Sequence, residues 1–126
     1  EAEYYHPQRH MGTLICHRAH QSDDNPLADV GLKDITAHVN FTGIALAAQE
    51  AGMAVLGYTS QGRFLINCGL LDVAKDAGPK ANAMLGKLVN EHEMGELFKV
   101  IGLAPAGSET GWDPIGFAAG DRTHRL

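Results

Sequence analysis

Apolar and polar positions follow two periods along the chain, one of two residues and one close to four. Alternating or continuous apolar runs predict strands, and such runs occupy 12–17, 34–39, 53–59 and 97–104. Apolar residues at helical spacing predict helices, and they occupy the segment after Asn40 or Thr42, the segment from 63 to about 76, and 79–90. Irregular chain is predicted for 1–11, 18–33 and 105–126, with an edge strand at 115–117 as an alternative.

Strands that alternate with helices are typical of a wound α/β sheet, in which right-handed helical crossovers connect parallel strands. Ligands bind such sheets outside the carboxyl ends of the strands. Asn40 and Phe41 follow one predicted strand, and Ser60 and Gln61 follow the next. The pattern therefore predicts a ligand-binding rim at these four residues.

The run 34–39 alternates most clearly and predicts a half-buried strand. Ile35, Ala37 and Val39 would form the buried face, and the other face would carry Asp34, Thr36 and His38. Carboxylate and imidazole groups on one face could orient a substrate nitrogen or move a proton. A solvated strand face that leads into a helix cap explains the same pattern.

Composition narrows the classes of function. The chain has 126 residues, enough for one domain, with 44% apolar and 20% charged residues. Its formal charge of −5 includes no dense Lys/Arg stripe, which argues against nucleic acid. No apolar stretch approaches the ~20 residues of a membrane span, and the start lacks a signal peptide, so we expect no membrane partner and a cytoplasmic location. Cys16 and Cys68 lie in apolar runs and are expected to be buried thiols.

Two clusters of polar residues leave alternatives open. Five of the seven histidines fall within the first 38 residues, and His17 and His20 could contribute to a zinc site, although solvated histidines fit as well. Glu91, Glu93 and Glu96 precede the last predicted strand and could bind a guanidinium through paired hydrogen bonds. Surface acids are equally common at such a position.

The glycines give a negative result for cofactors. A dinucleotide or adenosyl cofactor in a wound sheet needs a glycine-rich turn after a strand, because a backbone without Cβ atoms can approach the ligand closely. No two of the 15 glycines are separated by a single residue, so the chain has no Gly-x-Gly turn. We therefore expect no cofactor-binding residue in this chain. No metal ligand is assigned, since solvated histidines are the default interpretation of the early histidines.

Several dense motifs together resemble the C-terminal part of the MidA family of class I S-adenosylmethionine-dependent methyltransferases, which includes the mitochondrial complex I assembly factor. The motifs are Tyr4-Tyr5-His6-Pro7-Gln8-Arg9, Gly12-Thr13-Leu14, Asp34-Ile35-Thr36-Ala37-His38-Val39, Gly57-Tyr58-Thr59-Ser60-Gln61, Phe64-Leu65-Ile66-Asn67-Cys68-Gly69-Leu70, Glu93-Met94-Gly95-Glu96-Leu97-Phe98-Lys99-Val100 and Gly120-Asp121-Arg122-Thr123-His124-Arg125-Leu126.

The resemblance implies a Rossmann-like methyltransferase sheet with flanking helices, S-adenosylmethionine held by the first half of the family's domain, and a protein substrate, an arginine in the mitochondrial members. It places Asp34 and Glu93 near the acceptor's cation, with His38 orienting it, as candidate catalytic residues. Candidate substrate contacts are His17, Thr36, Asn40, Phe41 and Gln61. Asn40 stands where the family usually shows Asp, which removes a negative charge, and the stretch 17–26 is shorter than its counterpart.

We therefore expect residues 1–126 to be the C-terminal segment of a methyltransferase domain that lacks the cofactor-binding half and is inactive alone. One alternative is a non-catalytic module that binds or assembles a protein partner. A remoter alternative is a metal-binding domain built on the early histidines. Missing strands would leave an exposed sheet edge, which favours a homodimer.

Overall fold

The architecture comes from a computed structural model that describes residues 5–8 and 12–126. It divides the chain into two units, Glu1–Phe41 and Thr42–Leu126. His10 and most of the irregular approach predicted for 1–11 lie outside the described residues. None of the helices in the described segments has the length and apolar character needed to cross a membrane.

The first unit contains a small antiparallel sheet. Its strands are β1 (Ile15–Arg18), β2 (Gln21–Asp23) and β3 (Asp34–Thr36), in the order β2-β1-β3. Ala19 and His20 connect β1 to β2 with φ angles of 50° and 65°. Positive φ at both central residues is the geometry of a tight hairpin turn, which Asn-Gly usually supplies. The predicted loop over 18–33 therefore contains a strand whose turn lacks the usual signal.

The strand predicted over 34–39 is shorter and more exposed than its alternation indicates. It ends at Thr36, and Ile35 and Val39 are 56% and 46% exposed. The physical reason is that β3 lies at the edge of a three-stranded sheet, where Cys16 on the central strand is the one buried residue among the described residues of this unit. Alternation correctly located the strand, but the prediction of a buried face was wrong.

The second unit mixes helices with a two-stranded sheet. Its elements in chain order are α1 (Phe41–Glu50), which begins at the unit boundary, β4 (Met53–Ser60), α2 (Gln61–Asn67), α3 (Leu70–Val73), α4 (Pro79–Val89), α5 (Met94–Leu97), β5 (Lys99–Pro105) and two 3₁₀ turns (Ile115–Phe117 and Thr123–Arg125). The predicted strands over 53–59 and 97–104 and the helix over 79–90 are confirmed. The chain is thus mixed α/β, as predicted.

Four local expectations were wrong. Every strand pair among the described residues is antiparallel, so the parallel crossovers inferred from element order do not occur there. The helix predicted from 63 to 76 is split because Gly69 takes a left-handed conformation with φ 87°. Cys68 caps the end of α2 and is exposed rather than buried. The segment 115–117 forms a 3₁₀ turn, not an edge strand.

Phe117 anchors that 3₁₀ turn against the sheet. Its ring meets the ring of Phe64 edge to face, with centroids 5.3 Å apart. Cβ atoms built on Gly57 and Gly102 would lie 2.3 Å and 2.7 Å from this ring. Both strands therefore need glycine at the point where the aromatic ring covers them.

Helices α2, α4 and α5 meet through their backbones. A Cβ built on Gly62 of α2 would lie 2.8 Å from the Val89 carbonyl oxygen, and one built on Gly95 of α5 would lie 2.2 Å from the same atom. Both glycines are buried. This helix junction (Gly62, Val89, Gly95) explains why glycine follows Met94 in one of the dense motifs.

A C-terminal strap, residues 120–123, binds the edge of β4 that faces away from β5. The Thr59 hydroxyl donates to the Gly120 carbonyl at 2.7 Å, and the Tyr58 N–H donates to the Asp121 carboxylate at 2.9 Å. The Arg122 N–H donates to the Tyr58 carbonyl at 2.6 Å. The strap therefore satisfies backbone groups that an open strand edge would expose.

Candidate functional site

A polar pocket lies in the first unit, beside the β1–β2 hairpin. Residues 17–20 and 31–34 line this hairpin pocket, which has a volume of about 590 Å³. The size falls within the usual range of small-ligand sites, roughly 300–1,000 Å³. The pocket contains two of the residues that the sequence singled out, His17 and Asp34.

Sheet register brings His17 and Asp34 together. They are directly opposed on β1 and β3, and opposed residues of an antiparallel pair carry their side chains on the same face, about 5 Å apart at Cβ. His20 lies in the positive-φ turn at the end of the same hairpin. Left-handed backbone at a residue that is not glycine is uncommon and is often found at binding sites.

Both cations that line the pocket are neutralised by acids of the same unit. Arg18 pairs with Asp29 at 2.9 Å. Lys33, whose side chain is 8% exposed, pairs with Asp23 at 2.7 Å. The hydrogen bond from Lys33 lowers the pKa of Asp23, and a bond from the Asn25 N–H adds to this.

Asp34 differs from the paired acids Asp23 and Asp29. Within residues 5–8 and 12–126, its carboxylate takes part in no ion pair, and the residue is exposed. Since Arg18 and Lys33 are already paired, Asp34 carries the uncompensated charge of the hairpin pocket. The local field therefore favours a cationic ligand over an anionic one.

Other predicted residues of the first unit have contacts near the end of β3. The Thr36 hydroxyl donates to the Ile15 carbonyl at 3.3 Å. The His38 N–H donates to the Thr13 hydroxyl at 3.0 Å, and the Asn40 amide donates to the Tyr5 hydroxyl. Phe41 begins α1. These contacts fix the path of the chain after β3 while leaving the side chain of His38 exposed.

Two predicted residues lie in the second unit. The Gln61 side chain donates to the Leu88 carbonyl at 3.0 Å, and its backbone N–H donates to the Phe98 carbonyl at 2.9 Å. Gln61 therefore joins α2 to α4 and to the start of β5. Glu93 is exposed and directly precedes α5, where its side chain makes no capping hydrogen bond.

The proposed carboxylate–guanidinium interaction is present at Glu96, with a partner inside the chain. Arg122 of the strap donates to both carboxylate oxygens of Glu96, one at 3.1 Å and the other closer. These hydrogen bonds lower the pKa of Glu96 and raise that of Arg122. Glu91 instead lies 3.4 Å from His92. The sequence alone did not identify Arg122 as the partner of Glu96. The one signal that could have pointed to Arg122 is its place in the final dense motif, residues 120–126.

The strap also holds an acid in its ionised form. Partial burial would raise the pKa of Asp121, but hydrogen bonds from the backbone of Tyr58 and from Thr123 outweigh it and lower the pKa. Asp121 thereby acts as a backbone acceptor for β4. Its local role is structural.

The described residues contain neither a cluster of possible metal ligands nor a Gly-x-Gly turn. No cluster of three or more His, Cys, Asp or Glu side chains in segments 5–8 and 12–126 could hold a metal ion. Gly62 lies two residues after the end of β4, but its Cα surface is packed against the Val89 carbonyl. The backbone there cannot approach a ligand in the way a glycine-rich turn does.

Comparisons with known proteins agree on one family. The sequence model described as "Putative S-adenosyl-L-methionine-dependent methyltransferase" matches residues 1–59. A solved structure from Burkholderia thailandensis, described as a COG1565 superfamily member and "likely methyl transferase" bound to S-adenosyl-homocysteine, is 45% identical over 99% of this chain, with a TM-score of 0.80.

A second structure of a COG1565 superfamily protein from the same organism is 46% identical over all of this chain, with a TM-score of 0.79. The chain spans about a third of both solved proteins, 33% and 35% of their lengths. No curated protein sequence matches it significantly.

Proposed function

Because the chain belongs to the COG1565 superfamily of S-adenosylmethionine-dependent methyltransferases, we propose that it forms the C-terminal, acceptor-binding part of such an enzyme. The proposed acceptor is an arginine side chain of a protein. The observation that carries the proposal is the uncompensated carboxylate of Asp34 in the hairpin pocket, where both cations are paired internally.

A guanidinium group suits this pocket chemically. It is planar, remains charged, and presents paired N–H donors that match the two oxygens of a carboxylate. His17 stands opposite Asp34, and a neutral imidazole has one nitrogen that can accept a further N–H. We propose that these two side chains bind and orient the acceptor.

The remaining predicted residues have supporting roles in this proposal. His38 orients the acceptor within the first unit, where Thr36, Asn40 and Phe41 contact the substrate polypeptide. Glu93 and Gln61 remain separate candidates in the second unit. Asn40 contributes an amide rather than a base, because it carries no ionisable group.

We assign no cofactor-binding residue to this chain. The packed surface of Gly62 and the absence of any Gly-x-Gly sequence both argue against an adenosyl site in the described residues. S-adenosylmethionine would therefore be held by residues beyond this chain, and the chain alone should be inactive. Calorimetric titration with S-adenosylmethionine should give no heat of binding, and a measurable affinity would contradict this part of the proposal.

Acceptor binding can be tested on the chain itself with a short peptide that contains one arginine. NMR titration should shift the signals of His17 and Asp34, and a lysine peptide of the same length should bind more weakly. Asp34→Asn should lower the affinity about tenfold, since one hydrogen bond to a charged group is lost. Asp24→Asn is the matched control, because Asp24 is an exposed acid of the same unit outside the pocket lining. Equal binding by both variants would refute the role of Asp34.

A further inference from the structure

The charge of the hairpin pocket depends on acids that do not line it. Among the described residues, Arg18 and Lys33 are the cations of the pocket lining, and Asp34 is its one acid. The partners of the two cations, Asp29 and Asp23, lie outside the lining. Without these partners, and with its histidines neutral, the lining would carry a net positive charge and would favour an anion.

The two ion pairs differ in what else their members do. The Asp23 carboxylate also accepts the Asn25 N–H at 2.9 Å, and the Lys33 ammonium also donates to the Asn25 carbonyl at 3.4 Å. That pair is therefore part of the loop structure. Arg18 and Asp29 are 2.9 Å apart, and their side chains are 48% and 54% exposed. The charge of Asp29 can accordingly be removed with less effect on the loop.

The backbone places Asp29 in the turn that forms one wall of the pocket. Its carbonyl accepts the Leu32 N–H at 3.0 Å, and this turn contains Gly31 with φ 81°. Gly31 and Leu32 both line the pocket. Asp29 itself has a φ of 51°, a left-handed conformation that Asp and Asn adopt more readily than most other residues. The same turn thus forms the wall and presents the carboxylate that neutralises Arg18.

We propose that Asp29 is a specificity-determining residue of the hairpin pocket, which selects a cationic acceptor by neutralising Arg18. This role rests on the proposed function, because the cation that it selects is the arginine acceptor of the same pocket. Asp29 acts through Arg18 rather than by contact with the acceptor. An unpaired Arg18 would repel a guanidinium and attract an anion. Both partners belong to the first unit of this chain, so the pair does not depend on any open surface.

Two single variants and their combination test the charge mechanism, with the one-arginine peptide as the probe. Asp29→Asn frees the charge of Arg18 and should weaken binding about threefold, the size expected of an exposed charge. Arg18→Gln leaves the charge of Asp29 unpaired and should strengthen binding by about the same factor. The double variant should return to the affinity of the unmodified chain. If both single variants weaken binding and the double variant does not recover, the pair is only a structural tie and the proposal is overturned.

Two controls separate charge from conformation. Asparagine tolerates the left-handed backbone, so Asp29→Asn should keep the circular dichroism spectrum of the unmodified chain. Asp24→Asn removes the same charge from an exposed acid outside the pocket lining and should change the affinity much less. In 1 M salt, where the Debye length is about 3 Å, the opposite effects of Asp29→Asn and Arg18→Gln should largely disappear. Effects that persist unchanged in high salt would overturn the charge mechanism.

An anion probe distinguishes this role of Asp29 from the proposed function. Inorganic phosphate should shift the NMR signals of residues 17–20 in Asp29→Asn and leave those of the unmodified chain in place. If phosphate shifts neither protein, Asp29 does not set the charge preference, and the proposal is overturned even when the unmodified chain binds the arginine peptide. If Asp29→Asn gains phosphate binding but the unmodified chain does not bind the arginine peptide, the arginine acceptor is refuted and the selection by Asp29 stands.

Discussion

Replacement of Gly95 by Ala tests the helix junction most directly. The new Cβ would lie 2.2 Å from both the carbonyl carbon and the oxygen of Val89, and 2.7 Å from the Asn90 oxygen. Ordinary contacts of a Cβ begin at 3.4 Å, so the closest approach is about 1.2 Å too short. All three neighbouring atoms belong to the backbone and cannot move aside by a side-chain rotation.

The expected loss of stability follows from two opposing terms. Overpacking costs about 1–3 kcal/mol in ordinary cores, and a clash with fixed backbone belongs at the upper end. Alanine regains up to about 1 kcal/mol of helix propensity over glycine. The net loss should be about 2 kcal/mol, a large part of a domain stability of roughly 5–15 kcal/mol.

Urea unfolding followed by circular dichroism measures this loss. With a typical slope near 2 kcal/mol per molar, the midpoint for Gly95→Ala should fall by about 1 M. Gly86→Ala is the matched control, since a Cβ on this α4 residue meets nothing within 4 Å. Its midpoint should stay the same or rise. A midpoint for Gly95→Ala equal to that of the unmodified chain would refute the backbone contact at the junction.

Three further predictions concern the strap and its supports. Glu96→Gln should lower the free energy of unfolding by about 1 kcal/mol at neutral pH, because the Glu96 side chain is 40% exposed and its pair with Arg122 is partly screened. The pKa of Glu96 is lowered in the folded chain, so this stabilisation is present above the ordinary pKa of 4.5 and is lost as pH falls through the folded pKa. If the difference in unfolding free energy between the wild type and Glu96→Gln, measured by urea titration, persists at low pH, the pairing is contradicted. Arg122→Lys should recover less than half of the stability lost in Arg122→Ala, since lysine cannot bind both oxygens, and equal thermal midpoints for lysine and arginine would contradict this. Asn67→Ala removes the hydrogen bonds to the carbonyls of Gly116 and Ala119, and hydrogen exchange should accelerate at residues 116–123; unchanged protection would contradict the tie.

Local patterns located most elements because they depend on residues close in sequence. The apolar runs found β4 and β5, and Pro79 marked the start of α4. The hairpin at Ala19 and His20 was missed because its turn lacks the Asn or Gly that positive φ usually requires. Burial of β3 was misjudged because exposure depends on what covers a strand, which alternation does not encode.

The candidate site was predictable only in part for the same reason. His17 and Asp34 could be named from chemistry and resemblance, but their opposition depends on the register between β1 and β3. Neutralisation of Arg18 by Asp29 depends on the path of a loop. Arg122 is 26 positions from Glu96, and no periodicity links residues so far apart.

The two cysteines differ in a way that is useful for experiment. Cys16 is fully buried on the central strand of the first unit, whereas Cys68 is exposed at the end of α2. A maleimide fluorophore should therefore react at a single position in the native chain without mutagenesis. A dye attached at Cys68 would report the opening of the second unit, which contains α2, separately from that of the first unit.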